Sequence, residues 1–407
     1  MSGNQPGIVV GASARKDVRV ACAVGAVGGA VGAASFSADA AGCEELLVWM
    51  ESHGPVAAVG VEGAGSYGAG LARRLAAGGM LVVEVNRPNR QNRRRRGKSD
   101  AVDAEAAARA VLSGEAATQP KSGDGPVEAI RMLAAARRSA IKARTQAADQ
   151  IHGIVVTAPD RMKEHLSGLR GGDLLNACAR LRPGSAPDAV TGAAETALRA
   201  LARRHQALTA EIDALDVDLL RLCERANPAL LAAPGVGADT AAALLVAAGD
   251  NPDRMRSEAS FAALRGASPI EASSGQTVRH RLNRGGNRQA NNALWRIAMV
   301  RLRCEQRSID YAERRRAEGK THREIIRCLK RHIAREIHQL LTNPPAVPRG
   351  AGLRHRRQQA GLTIHTTAAA IGANPSRVSE LERGLHHNRD LANHYQNWLS
   401  QQTTRQT

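Results

Sequence analysis

A chain of 407 residues, 43% of them hydrophobic and only 2% aromatic, has room for two or three ordinary folded domains. Fifty-seven Lys and Arg face 38 Asp and Glu, a formal net charge of +19. That excess makes a polyanion the default partner, because each phosphate contact releases condensed counterions. The same composition excludes much else. The six cysteines, Cys22, Cys43, Cys178, Cys223, Cys304 and Cys328, show no CxxC spacing, so neither a zinc site nor a disulfide framework is expected. No long apolar run, basic amphipathic anchor or signal peptide is evident, so no membrane association and a cytoplasmic location are expected.

In chain order, Ile8-Val9-Val10 reads as a buried strand, and Val18 to Val24 follows a turn at Ala14-Arg15-Lys16, which suggests a hairpin. Residues 41–52 read as a helix, and Ala57 to Val61 as an apolar strand that ends at Glu62. Gly68 to Ala77 reads as a helix and Leu81 to Val85 as a further strand. Strands alternating with helices predict an α/β domain with central strands covered on both faces. Residues 87–98, RPNRQNRRRRGK, form a basic loop containing Arg93, Arg94, Arg95 and Arg96. Asp100 to Leu112 is a predicted helix with Ser99 as its N-cap.

From 127 to 225 the pattern is helical. Leu198, Leu201, His205, Leu208, Ile212, Leu215, Leu219 and Leu222 form a heptad seam that fits either one helix of an intramolecular bundle or a dimerising coiled coil. Residues 228–343 form a second, mostly helical unit, closed by Asn343-Pro344-Pro345, and residues 350–400 a third.

Three groups of residues could carry chemistry. Glu62 stands at a strand end, while Asp100 and Asp103, spaced i,i+3, share a helix face. Carboxylates so gathered can hold Mg²⁺ through hard oxygens, although an i,i+3 acidic pair is also an ordinary solvated face. The second group is Ser273-Ser274-Gly275 followed by Arg279-His280-Arg281-Leu282-Asn283-Arg284-Gly285-Gly286-Asn287-Arg288. It fits a hydroxyl nucleophile beside guanidinium groups that offset phosphate charge, with His280 handling a proton, although residue chemistry alone favours a Ser/Gly turn before a DNA-binding basic helix. The third is Pro234-Gly235-Val236-Gly237 before an apolar helix. It suits a helix-hairpin-helix in which Gly235 and Gly237 let backbone amides approach a phosphate, or a plain turn.

The order of these motifs resembles the DEDD transposases of bacterial insertion sequences, in particular the insertion sequence 110 family, over roughly residues 8–342. Gly60-Val61-Glu62 is similar to the family's Glu strand, and Lys98-Ser99-Asp100-Ala101-Val102-Asp103-Ala104 to its K-x-D-x-x-D-A helix. The resemblance implies a RuvC-like (ribonuclease H-like) domain over 7–125 with Glu62, Asp100 and Asp103 as metal ligands, and a helical coiled-coil, dimerising region over 126–225. It implies a mostly α-helical transposase domain over 226–343, beginning with the hairpin and carrying Ser274 as the nucleophile joined to DNA (Ser273 the alternative). It further implies Mg²⁺, DNA as substrate, a homo-oligomer, a structured guide RNA, and a place at the bacterial nucleoid. In this reading Arg93 to Arg96, Gly235, Gly237, Arg279, Arg281, Arg284, Asn287 and Arg288 bind nucleic acid.

One departure stands out. The family opens with Gly-x-Asp-x-x-Lys, where this chain reads Gly11-Ala12-Ser13-Ala14-Arg15-Lys16. A neutral hydroxyl at Ser13 predicts a weaker metal site, with Asp17 across the turn as the candidate substitute. Alternative readings are therefore a catalytically impaired relic or DNA-binding regulator, and a RuvC-like nuclease that needs no serine. Residues 350–400 add a segment outside the family pattern, similar to a Cro/repressor helix-turn-helix. Its turn is Ile371-Gly372-Ala373 and its recognition helix runs from about Ser376 to Arg383, with Ser376, Arg377 and Ser379 facing DNA. A small helical bundle that binds protein is the other reading of that tail.

Overall fold

The computed structural model describes the chain except residues 1–6, 86–98, 185–187, 256, 265, 269, 272, 277–279, 282, 284, 347–349, 383, 385–387 and 407. It divides into two compact units, residues 1–125 with 248–257, and residues 126–247 with 258–407.

The first unit is built on a five-stranded sheet in the order β3-β2-β1-β4-β5. Strands β1 (Ile8–Ala14), β2 (Val18–Val24) and β3 (Ala30–Ser37) form an antiparallel meander, and β4 and β5 extend it in parallel on the other side of β1. Helix α1 (Ala40–Ser52) returns the chain to β4 (Val56–Glu62), and α2 (Ala69–Ala77) returns it to β5 (Val82–Val85). Helix α3 (Asp100–Leu112) covers the opposite face.

Alternation along the strands decides which face each residue serves. Val10 and Ala12 of β1 and Val59 and Val61 of β4 point into a core with Leu46, Met50, Leu71 and Leu75 of α1 and α2. Val9 points the other way, into a smaller core with Cys22, Val24, Ala104 and Ala108. Ser99 caps α3, its hydroxyl accepting from the Val102 amide at 3.3 Å. The mixed sheet, covered by helices, suits the ribonuclease H-like domain expected from the sequence. Strand β3 was not expected. Most of its side chains are exposed, and it belongs to the sheet through its backbone pairing with β2.

The second unit is helical. Helix α4 (Pro126–Thr157) runs out, α5 (Asp160–Leu166) and α6 (Gly171–Arg180) make the turn, and α7 (Ala189–Ala226) runs back against α4. Arg137 ion-pairs with Asp216, while burial, and after it the charge of Arg144, lowers the pKa of His205, so the two long helices are antiparallel. Leu198, Ile212 and Leu219 of the heptad seam are buried within the chain. The intramolecular pairing alone therefore accounts for part of that seam.

Helix α8 (Pro228–Leu231), the Gly235–Gly237 turn and α9 (Ala238–Ala248) follow. Then come α10 (Glu258–Leu264), a two-stranded ribbon of β6 (Ile270–Glu271) and β7 (His280–Arg281), and α11 (Arg288–Cys304). Helices α12 (Gln306–Ala317) and α13 (His322–Thr342) complete this part, α13 laying Ile325, Leu329, Ile333, Ile337 and Leu340 into the core. The tail is α14 (Gly350–Gln359), α15 (Ile364–Ala370), α16 (Pro375–Glu382) and α17 (Arg389–Gln406) around Leu353, Ile371, Val378, Leu381, Tyr395 and Leu399.

Candidate functional site

In the first unit two glycines let α3 lie close to the sheet. A Cβ at Gly11 would stand 2.0 Å from the Ala104 carbonyl oxygen, and one at Gly60 would stand 2.8 Å from Val111 and 3.0 Å from the Ala107 carbonyl oxygen. Gly11 and Gly60 are register partners on neighbouring parallel strands, and so are Ser13 and Glu62. Side chains two residues apart on a strand share a face. Ser13 and Glu62 therefore stand side by side on the face that α3 covers.

Asp103, in the first turn of α3, is buried, and its neighbour Ala104 packs on Gly11. The fold thus brings Glu62 and Asp103 to the same face as Ser13. Asp100, in the same turn, pairs with Arg15: Arg15 Nε donates to its carboxylate at 2.6 Å, and Arg15 Nη2 lies 2.5 Å from it. Asp17 is exposed at the β1–β2 turn. Among the described residues no three His, Cys, Asp or Glu side chains are arranged to hold a metal ion. Glu62, Asp103 and the Ser13 hydroxyl share this face, and Asp100 stands with Asp103 in the first turn of α3.

In the second unit the ribbon pairs Ile270 with Arg281 and Glu271 with His280, and the loop between its strands carries Ser273 and Ser274. Both serines are exposed, and Gly275 follows at φ 57°, a left-handed conformation that suits glycine. Arg281 and Arg288 are exposed. Asn287 serves the fold: its side-chain oxygen accepts from the amides of Gln289 and Ala290 at 3.0 and 3.1 Å, capping α11. Within this run the described residues give β7 at His280–Arg281 and the N-cap at Asn287, with α11 starting only at Arg288. Arg331 of α13 donates to the Ser268 hydroxyl at 3.0 Å beside β6. Lys330 hydrogen-bonds Asn291, and burial together with Arg327 lowers its pKa. Arg93 to Arg96, Arg279, Arg284 and the His280 side chain lie outside the described residues.

At the glycine turn, Gly235 has φ 74°, and a Cβ there would meet the Ile297 carbonyl oxygen at 3.2 Å. The Gly237 amide donates to the Thr240 hydroxyl at 2.9 Å. Asp239, in the first turn of α9, pairs with Arg137 and Arg296.

Comparison with known proteins now decides the family. A DEDD-type insertion sequence 110 profile, described as a transposase, matches residues 10–158. A second, described as the IS116/IS110/IS902 transposase family, matches residues 227–313. The chain belongs to the insertion sequence 110 family of transposases. It is also 34% identical over 145 residues to a Streptomyces coelicolor protein described as an uncharacterized 43.6 kDa protein of insertion element IS110. That alignment covers 35% of this chain and 34% of the relative's length. DEDD transposases as a family use divalent metal ions.

The first profile spans Ser13, Glu62, Asp100 and Asp103, and the second spans the glycine turn, Ser274 and the arginines after it. The transposase tail from Gly350 onward lies outside both matches. There α15, the turn at residues 371–374 and α16 leave Ser376 and Arg377 exposed and Ser379 half-buried. No helix among the described residues is long and apolar enough to cross a membrane.

Two residues important to these sites were not apparent from the sequence. Arg15 reads as part of a basic turn, and nothing local says that it reaches Asp100. Arg301 lies within an amphipathic helix, yet it is buried, donates from Nε to the Pro234 carbonyl at 2.8 Å, and makes a bidentate pair with Glu336 at 2.7 and 3.0 Å. A lone arginine on the apolar face of a helix was the available signal, since buried charges need partners.

Proposed function

We propose that this transposase cuts and rejoins DNA through a covalent serine intermediate. The observation that carries the reading is the exposed Ser274 beside Gly275 in a ribbon loop, with exposed Arg281 and Arg288 close by in sequence, inside the segment that matches the transposase profile. In the step, Ser274 Oγ attacks a DNA phosphorus. The bond from phosphorus to serine forms as the bond to one deoxyribose oxygen breaks. The hydroxyl proton ends on the departing sugar oxygen, with His280 as the assigned carrier. Arginine guanidinium groups offset charge on the transferring phosphate. Attack of a sugar hydroxyl on the phosphoserine ester reverses the step, so no nucleotide is needed to reseal the strand.

Glu62, Asp100 and Asp103 are the groups we assign to Mg²⁺, and the neutral hydroxyl of Ser13 beside them favours weak rather than tight binding. The basic run at residues 87–98 and the glycine turn are assigned to phosphate contacts. A structured guide RNA and a dimer or higher oligomer complete the proposal, since the excess of positive charge suits either polyanion. A second reading, an impaired transposase that chiefly binds DNA, is favoured by Ser13 together with the Arg15–Asp100 pair.

The test is a denaturing gel of the protein mixed with Mg²⁺, the element's end sequences and their flanking transcript. A DNA-linked band lost in Ser274→Ala and kept in Ser273→Ala supports the first reading. A band seen only with Ser13→Asp supports the second. Free cut ends that persist in Ser274→Ala would refute serine chemistry in favour of hydrolysis. Calorimetric titration with Mg²⁺ gives an independent readout, with Ser13→Asp expected to bind the ion more tightly than the natural chain.

A further inference from the structure

The tail is a self-contained core with its own polar lock. Glu382, buried at the end of α16, receives both arms of Arg357 from α14 at 2.7 and 3.0 Å and the hydroxyl of Tyr395 from α17 at 2.7 Å. One carboxylate thereby fixes α16 between the helices before and after it. Thr363 caps α15, its hydroxyl accepting from the Thr366 amide at 3.0 Å, and Asn374 does the same for the Ser376 amide at 2.9 Å. The outer faces carry His365, Thr366, Ser376 and Arg377, all exposed. Among the described residues, none of the exposed large hydrophobic side chains falls after Val300. A surface of hydroxyls and arginine without apolar anchors suits a nucleic acid rather than a protein groove.

Among the described residues, a backbone hydrogen bond joins the tail to the rest of its unit. Asn388 caps α17 by accepting from the Leu391 amide at 3.0 Å, so Arg389 is the first helical residue. Its amide, one of the donors a helix start leaves unpaired, reaches the buried Ala232 carbonyl at 3.0 Å. Ala232 lies three residues before Gly235. Two residues further along the same segment, Arg301 holds the Pro234 carbonyl. The segment entering the glycine turn is thus held both by the serine-bearing part of the unit and by the tail.

From this we infer that the tail is a sequence-reading module for duplex DNA, seated on the serine-bearing domain so that α16 and the Gly235–Gly237 turn hold one continuous duplex in fixed register. The inference rests on the turn binding phosphate, as proposed above. It adds a second address on DNA, read by groove contacts of Ser376 and Arg377.

The experiment uses the full chain. Duplexes selected from a random pool should share a motif, and Arg377→Ala should weaken binding to that motif about 5-fold or more, the scale of one lost base contact. Hydroxyl-radical footprints on a long duplex bearing the motif should show a second protected patch at a constant offset. Arg389→Pro removes the tethering amide together with the side chain that lies 3.7 Å from Asp390, and proline is well tolerated at the first position of a helix. It should keep the motif footprint and lose the offset patch, whereas Arg389→Ala, which keeps the amide, should retain both. As an independent check, flexible residues inserted after Pro345 should leave the offset unchanged.

An offset patch that survives Arg389→Pro, or one that moves with the inserted residues, would overturn the seating. A natural chain without the offset patch would do the same while leaving the tail's own binding intact. Failure to select any motif would overturn the reader itself. Loss of the serine adduct in the gel above is scored separately, so the two readings fail independently.

Discussion

Replacing Gly11 by alanine tests whether the first unit's site depends on close approach of α3 to β1. The added Cβ would stand 2.0 Å from the Ala104 carbonyl oxygen and 2.4 Å from the Ala108 nitrogen, both backbone atoms that no rotamer change can move. Ordinary contact is about 3.5 Å, so the helix must retreat by roughly 1.5 Å. Overpacking of this kind costs about 1–3 kcal/mol, and a clash with backbone belongs at the upper end. A fall in Tm of roughly 5–10 °C follows for the transition of the first unit. Gly70→Ala is the control, since a Cβ there meets nothing within 4 Å inside α2 and should stabilise by about 0.5–1 kcal/mol. Calorimetric melting reads the stability, and hydrogen exchange along β1 reads the site of the change. A Gly11→Ala protein as stable and as protected at β1 as the natural one would refute the argument that this glycine sets the spacing beneath Ser13 and Glu62.

Two further outcomes concern the second unit. Arg301→Met should destabilise by about 2–3 kcal/mol, measured by urea unfolding, because Glu336 and the Pro234 carbonyl both lose a charged donor; Arg301→Lys, which cannot make the planar bidentate pair, should recover only part. Burial pushes the Cys223 thiol from an ordinary value of 9.0 up to about 12, with the Asp239 charge adding to the shift. A raised folded-state pKa contributes stability that is fully present below pH 9 and is lost as pH climbs towards 12. Alkaline unfolding of the natural chain should therefore begin in that window, and Cys223→Ala should lack this part of the pH dependence.

What the sequence disclosed follows the distribution of buried surface. The strands β1, β2, β4 and β5 are runs of Val, Ile and Ala that a two-sided core demands, and they are legible for that reason. Ser99 before Asp100 is an N-cap with a local cause, and it too is legible. Strand β3 is not, because Ala30 to Ser37 buries almost nothing and joins the sheet through backbone pairing. The two-residue strands around the serine loop are too short to show alternation, so the basic run after Gly275 suggested a helix that in fact begins only at Arg288. For the site, the i,i+3 spacing put Asp100 and Asp103 on one helix face. It could not show that Asp100 would be claimed by Arg15, a contact across 85 residues. Asn287 was singled out for DNA because it lies among arginines, while its geometry serves the helix that follows.

The long helical pair is pinned within the second unit where Arg137 of α4 meets Asp216 of α7 and Asp239 beyond it. A helix of 38 residues spans about 57 Å. An arm rooted this way can change reach without rebuilding its base. Matched insertions or deletions of whole heptads in both helices would preserve the buried stripe and shift only the far turn around α5 and α6. Reach is then a dimension that can be inherited separately from the residues at the root.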